Sequence, residues 1–231
     1  MTPELAGRLA FRHRLPTAEP LPPGMHPLTL FPQRNALFVV PPGIEPRRPV
    51  PLMVLFHGGG GSAAKILPMM LSHAQERGFL LLVPQSQFPT WDVVIAGHGP
   101  DRERLDTLLD AIASRFLLDP TRLAFAGHSD GGSYTLSSGL ANGDLATHLI
   151  VSSAGFMSVH AQNGAPRIFI SHGTQDEQIP IDRSARVHSA KLVEAGYDVT
   201  AVEYDGPHAY NPAVVRQAVD FFLADRPDAA G

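Results

Sequence analysis

The sequence predicts an open α/β fold on a mostly parallel sheet, and three observations predict it. Short, nearly wholly apolar runs recur at 52–56, 79–83, 122–126, 149–152 and 167–171. Each is bounded by Pro, Gly or polar turn residues, and a uniformly apolar strand belongs to a sheet covered on both faces. Between these runs the apolar spacing changes to that of a helix, so strand and helix alternate along most of the chain. Finally, the 231 residues include 22 Pro and 21 Gly, which break the chain into many short elements joined by tight turns.

Taken in order, residues 28–31 and 35–40 predict an opening antiparallel pair separated by Pro32-Gln33. Strand 52–56 follows, then a helix over 65–77 that ends at Gly78, where a C-terminal glycine belongs. After strand 79–83, Leu105, Leu108, Leu109, Ile112 and Phe116 fall on one helical stripe, with Asp106, Asp110 and Arg115 elsewhere. Strand 122–126, helix 131–140, strands 149–152 and 167–171, helix 183–195 before Gly196, strand 198–204 and helix 213–224 complete the series. The total is about eight strands, with helices expected on both faces. Residues 1–24 form an extended lead-in, because the four prolines within 16–23 exclude a helix there. Residues 25–231 form a single domain, since no repeat or linker divides them. The stretch 151–167 is too short to house a lid, so no cap domain is expected.

Composition removes several classes of function. Eighteen Lys+Arg against 22 Asp+Glu give a net charge of −4, which excludes the basic field of a nucleic-acid binder. The 44% apolar and 17% charged residues are those of a globular chain. No apolar run approaches the roughly 18–20 residues that span a bilayer, so no membrane partner is expected. With no cysteine there are no disulfides, thiolate metal sites or cysteine nucleophile. Glu4, Arg8, Arg12, His13 and Arg14 interrupt the N-terminal apolar residues, so 1–24 does not resemble a signal peptide. A cytoplasmic location is the expectation.

In an open α/β sheet, ligands bind at the carboxyl ends of the strands, so the residues just past the strands are the candidates. After 122–126 comes Gly127-His128-Ser129-Asp130-Gly131, a Gly-x-Ser-x-Gly at a strand-to-helix turn. Such a turn lifts the serine oxygen above the sheet edge, and its glycines are needed because a Cβ would collide with the neighbouring strand and helix. A serine hydroxyl becomes nucleophilic only when a base takes its proton. Of the 11 histidines, His208 lies in the turn Asp205-Gly206-Pro207-His208 after the last strand. His188 falls inside a helix and His148 before a strand, while His13 and His26 precede the sheet core. The acid that orients the base is Asp176, in the turn after strand 167–171. Its rivals are the neighbouring Glu177 and Asp205, which sits too close to His208 in one tight turn.

Acyl transfer also needs amide donors for the oxyanion. His57-Gly58-Gly59-Gly60-Gly61-Ser62 follows strand 52–56 and lets amides converge without side-chain interference. Gly59, or else Gly60, is expected to supply one amide and Asp130 the other. A phosphate-binding loop is the competing reading, but no Lys-Ser or Lys-Thr follows at the required spacing. No metal site is expected, because the histidines lack i, i+4 pairing or cysteine partners. Trp91, Phe156, Ile179 and Tyr210 lie near the expected edge and are candidates to line the substrate pocket, whereas Met69 and Met70 are expected in the core.

The order Ser129, Asp176, His208 behind a glycine loop resembles the α/β-hydrolase superfamily. Within it, the chain is most similar to small lidless serine esterases of the phospholipase/carboxylesterase type, with polyhydroxybutyrate-depolymerase-like esterases related. The phrases that carry the resemblance are LFHGGGGS at 55–62, PQSQFPTWD at 84–92, DPTRLAFAGHSDGGSYTLSSGLANGD at 119–144, RIFISHGTQDEQIP at 167–180 and EYDGPH at 203–208. The resemblance implies an α/β-hydrolase fold and a serine carboxylic-ester hydrolase that uses no cofactor and acts on short-chain or small aryl and alkyl esters. A thioesterase, peptidase or acyltransferase using the same three residues, or a non-catalytic binding protein on the scaffold, remain the alternatives.

Overall fold

The computed structural model describes residues 7–31, 34–95, 97 and 99–225. Eight strands form one sheet: β1 (Gly24–Leu28), β2 (Ala36–Val40), β3 (Val50–Phe56), β4 (Leu80–Val83), β5 (Leu118–His128), β6 (His148–Ser152), β7 (Arg167–Gly173) and β8 (Val199–Tyr204). Their order is β1-β2-β4-β3-β5-β6-β7-β8. β1–β2 and β2–β4 pair antiparallel and all other neighbours pair parallel, so β3 to β8 end along one edge. The helices are α1 (Ala63–Ile66), α2 (Leu71–Arg77), α3 (Asp92–Ile95), α4 (Pro100–Ala113), α5 (Asp130–Ala141), α6 (Ala185–Glu194) and α7 (Pro212–Leu223).

Alternation along β3 shows why both faces are covered. Leu52, Val54 and Phe56 join one core with α4, α5 and α6, while Met53 and Leu55 join a second with α1, α2 and α7. All five side chains are fully buried. Among the described residues no helix is long and apolar enough to cross a membrane.

Three elements differ from the sequence expectation. The helix expected over 65–77 is broken: Pro68 lacks an N–H to continue the ladder, so a 3₁₀ turn (Leu67–Met69) separates α1 from α2. Gly78, at φ 71°, closes α2 in the left-handed conformation. The first strand lies at Gly24–Leu28 rather than 28–31, with Gly24 opposite Val40 and Leu28 opposite Ala36. As an edge strand it tolerates Pro27. The turn expected at Pro32-Gln33 falls outside the described residues. The short helix α3 has too few residues to show a period. Within the lead-in, Leu9 and Phe11 are buried in the first core. Their amides donate to Asn142 Oδ1 and Asp106 Oδ1 at 2.8 and 2.9 Å, which ties the segment to α4 and the end of α5.

Candidate active site

Ser129 sits between β5 and α5 at φ 58°, ψ −123°. A positive φ at a non-glycine residue costs about 1–3 kcal/mol, and the packing around it imposes this conformation. Ser129 N donates to Ser152 O at 2.9 Å. A Cβ on Gly127 would collide with the backbone of Gly131, and one on Gly131 with the Phe56 carbonyl. Close approach of two backbones therefore demands both glycines.

The turns after β7 and β8 are bonded to each other. Thr174 N donates to Tyr204 O at 2.8 Å and Gln175 N to Gly206 O at 2.9 Å. A side chain at Gly173 would strike the carbonyls of Gly206 and Pro207. This brings His208 Nδ1 to 2.6 Å from Asp176 Oδ2, and His208 Nε2 to 2.9 Å from Ser129 Oγ. A carboxylate only accepts, so Nδ1 carries the proton and Nε2 faces the hydroxyl as acceptor. Of the rival acids, Asp205 accepts from Gln175 Nε2 at 2.6 Å and Glu177 is exposed.

Asp176 is held by more than His208. Its Oδ1 accepts the amides of Gln178 and Ile179 at 3.0 and 2.8 Å. Its Oδ2 lies 3.1 Å from His172 Nε2. That nitrogen is also 2.8 Å from the Ile179 carbonyl, which can only accept, so it bears a hydrogen. Burial pushes the Asp176 carboxyl up, but the Ile179 amide, His208 and His172 together outweigh it and hold the carboxyl below its ordinary range. His172 was not among the residues the sequence singled out. The available signal was a His-Gly pair closing a strand, the same pattern as His57-Gly58.

His128 packs its ring 4.9 Å from that of His208, and its Nδ1 lies 3.0 Å from Ser152 Oγ. Burial, aided by His208 and His172 and opposed by Asp176, brings its pKa down to about 4, so it is neutral at neutral pH.

The glycine loop presses on the nucleophile: a Cβ on Gly58 would lie 3.3 Å from Ser129 Cβ. His57 Nδ1 donates to Gly58 O at 2.8 Å, and Gly61 N donates to the same oxygen at 3.0 Å. Gly58 C=O and Gly59 N–H belong to one planar trans peptide and point opposite ways. Anchoring the carbonyl therefore directs the Gly59 amide. His57 Nε2 accepts from Ser86 N and the Gln85 side chain at 3.2 and 3.0 Å, which fixes the tautomer, and burial lowers the ring's pKa. Among the described residues no acceptor takes the Gly59 amide, whereas Gly60 N donates to Pro89 O at 2.8 Å. That engagement leaves Gly59 as the free donor of the two. Asp130 N opens α5, where a helix has no acceptor of its own for the amide.

Of the four residues expected to line a pocket, Phe156, Ile179 and Tyr210 are half-buried: Phe156 N donates to Ser133 Oγ and Ile179 N to Asp176 Oδ1, and the Tyr210 ring lies 6.1 Å from that of His128. Trp91 is different. It is only 2% exposed and packs against Phe56, His57 and Tyr134, with Nε1 donating to His57 O at 2.7 Å. It is a core residue behind the glycine loop, because its indole N–H finds a buried carbonyl there. Among the described residues no group of three His, Asp or Glu side chains is arranged to hold a metal ion.

No protein-family model and no curated protein sequence matches the chain. Solved structures do match. FphF, a fluorophosphonate-binding serine hydrolase of Staphylococcus aureus, superposes with a TM-score of 0.71 at 18% identity, covering 89% of this chain and all 100% of that one. The ferulic acid esterase AmCE1/Fae1A of Anaeromyces mucronatus gives 0.67 at 14% identity, over 87% and 90% of the two chains. A thermostable esterase gives 0.68 at 18% identity over 82% of this chain, which spans 58% of that protein. At these identities the likeness speaks for architecture, and the architecture is the α/β-hydrolase fold of esterases and serine hydrolases.

Proposed function

We propose that the protein is a serine hydrolase of carboxylic esters, working through an acyl-enzyme on short-chain or small aryl and alkyl esters. The observation that carries this is the unbroken run of hydrogen bonds from Asp176 through His208 to Ser129, at 2.6 and 2.9 Å. Ser129 Oγ attacks the ester carbonyl while His208 Nε2 takes its proton, and the displaced electron pair moves to the carbonyl oxygen. The amides of Gly59 and Asp130 are the donors for that oxyanion. Collapse re-forms the carbonyl and breaks the bond to the alcohol, which leaves with the proton from His208. Water then attacks the acyl-enzyme by the same route and frees the acid. Asp176, kept ionised by its donors, balances the imidazolium in both halves. The scheme calls for neither metal nor organic cofactor.

Phe156, Ile179 and Tyr210 are the proposed walls of an uncapped acyl site. Such a site favours p-nitrophenyl acetate through hexanoate over the dodecanoate, and a rate that rises with chain length would overturn the small-ester assignment. The cytoplasm is the location proposed with this activity.

The decisive experiment is labelling with a fluorophosphonate probe alongside hydrolysis of p-nitrophenyl butyrate. Stoichiometric modification at Ser129, lost together with hydrolysis in Ser129→Ala, is expected. Undiminished hydrolysis in that variant would reject the scheme. A kcat/KM profile that stays flat down to about pH 4 would remove histidine as the base.

A further inference from the structure

An oxyanion hole assembled from two chain segments depends on the separation between them, and neither segment sets that separation alone. Gly59 belongs to the loop after β3, and Asp130 opens α5 just past the Ser129 turn that follows β5. Residues 85–91 touch both. On the glycine side, Pro89 O accepts from Gly60 N at 2.8 Å, and Ser86 N, Gln85 Nε2 and Trp91 Nε1 all bond His57. On the nucleophile side, Thr90 Oγ1 donates to Asp130 Oδ2 at 2.7 Å.

That carboxylate oxygen also borders the proposed hole: a Cβ on Gly59 would lie 2.5 Å from it. A carboxylate accepts amide hydrogens more strongly than a neutral carbonyl does. An untethered Asp130 side chain would therefore compete for donors that the reaction needs. We propose that Thr90 is a positioning residue, whose hydroxyl holds the Asp130 carboxylate aside and, with Pro89, sets the spacing of the Gly59 and Asp130 amides. The role rests on the proposed ester hydrolysis, and it requires a hydroxyl at this place rather than the volume of a threonine.

Thr90→Val keeps the volume and removes the donor. Its kcat/KM for p-nitrophenyl butyrate is expected to fall about tenfold to a hundredfold, mostly in kcat. Affinity for a trifluoromethyl ketone, whose adduct mimics the oxyanion, should fall in parallel, and Thr90→Ser should restore both. Thr90→Ala carries the same expectation if the valine variant does not fold. Activity and ketone affinity of the donor-less variant within about twofold of wild type overturn the proposal. A serine variant as impaired as the valine one does so too. Ser129→Ala, measured alongside, separates the two layers: if it still hydrolyses the ester, the ester-hydrolase reading fails and takes this role with it. If it is inert while Thr90→Val is unimpaired, only the role of Thr90 fails.

Discussion

His172 Nε2 lies 3.1 Å from Asp176 Oδ2, the oxygen that His208 Nδ1 reaches at 2.6 Å. Both side chains of the first pair are fully buried. The acid thus has a second imidazole against it in addition to two backbone amide donors, and the hydrogen on that imidazole's Nε2 goes to the Ile179 carbonyl, which fixes the turn whose amides bond Asp176. A carboxylate held in this way cannot rotate without breaking several hydrogen bonds, so it presents one fixed oxygen to His208.

Replacing His172 with Phe keeps a ring and removes the donor. Its kcat/KM is expected to fall about tenfold, since the Ile179 carbonyl loses its partner and the turn whose amides orient Asp176 loosens. His172→Gln, which can place an N–H near the same point, should recover most of the loss. Steady-state ester hydrolysis, read with the Tm of each variant, decides it, and a Phe variant at wild-type kcat/KM would dismiss the role.

Acid should weaken the fold through His128. With a folded pKa of about 4, below the ordinary histidine value, the unfolded chain takes a proton over an interval in which the folded one does not. The resulting stability is full above the ordinary value and is lost as pH falls toward the folded one. His13, His57 and His188, also lowered by burial, act in the same direction. Asp101 opposes them: burial raises it to about 6, so its contribution is present in acid and lost as pH rises through that value. Tm is expected to drop between about pH 7 and pH 5, and less steeply in His128→Asn, which does not titrate. Equal slopes for the two proteins would absolve His128.

Two alanine substitutions separate crowding from conformation. At Gly131 an added Cβ meets the Phe56 carbonyl, and overpacking against backbone should cost about 3 kcal/mol or more, seen as a large loss of Tm or of soluble protein. At Gly60 nothing lies within 4 Å of an added Cβ, but φ is +63°. Gly60→Ala should therefore cost only about 1–2 kcal/mol, the penalty of the left-handed region. Similar losses at the two sites would contradict this ordering.

Trp91→Phe removes the bond to His57 O and part of the packing on Tyr134. A loss of about 1–3 kcal/mol in denaturant unfolding is expected. The chain-length profile toward p-nitrophenyl esters should be unchanged, because the indole lies in the core. A shifted profile would return Trp91 to the substrate pocket.

Local order along the chain was enough to determine the alternation of strands and helices, the parallel core of the sheet, and the candidacy of Ser129, Asp176 and His208. Each of those three comes after a strand whose apolar run is visible in one dimension, and parallel strand direction delivers all three turns to a common edge. The break at Pro68 was equally legible in principle, since a missing N–H is a local fact. The shift of the first strand was not, because its register depends on how Leu28 meets Ala36 across the sheet. Nor were the packing of His172 against Asp176, the engagement of the Gly60 amide by Pro89, the tie between Thr90 and Asp130, or the burial of Trp91. These depend on hydrogen bonds and packing between residues distant in sequence, whose partners exist only once the chain has closed on itself.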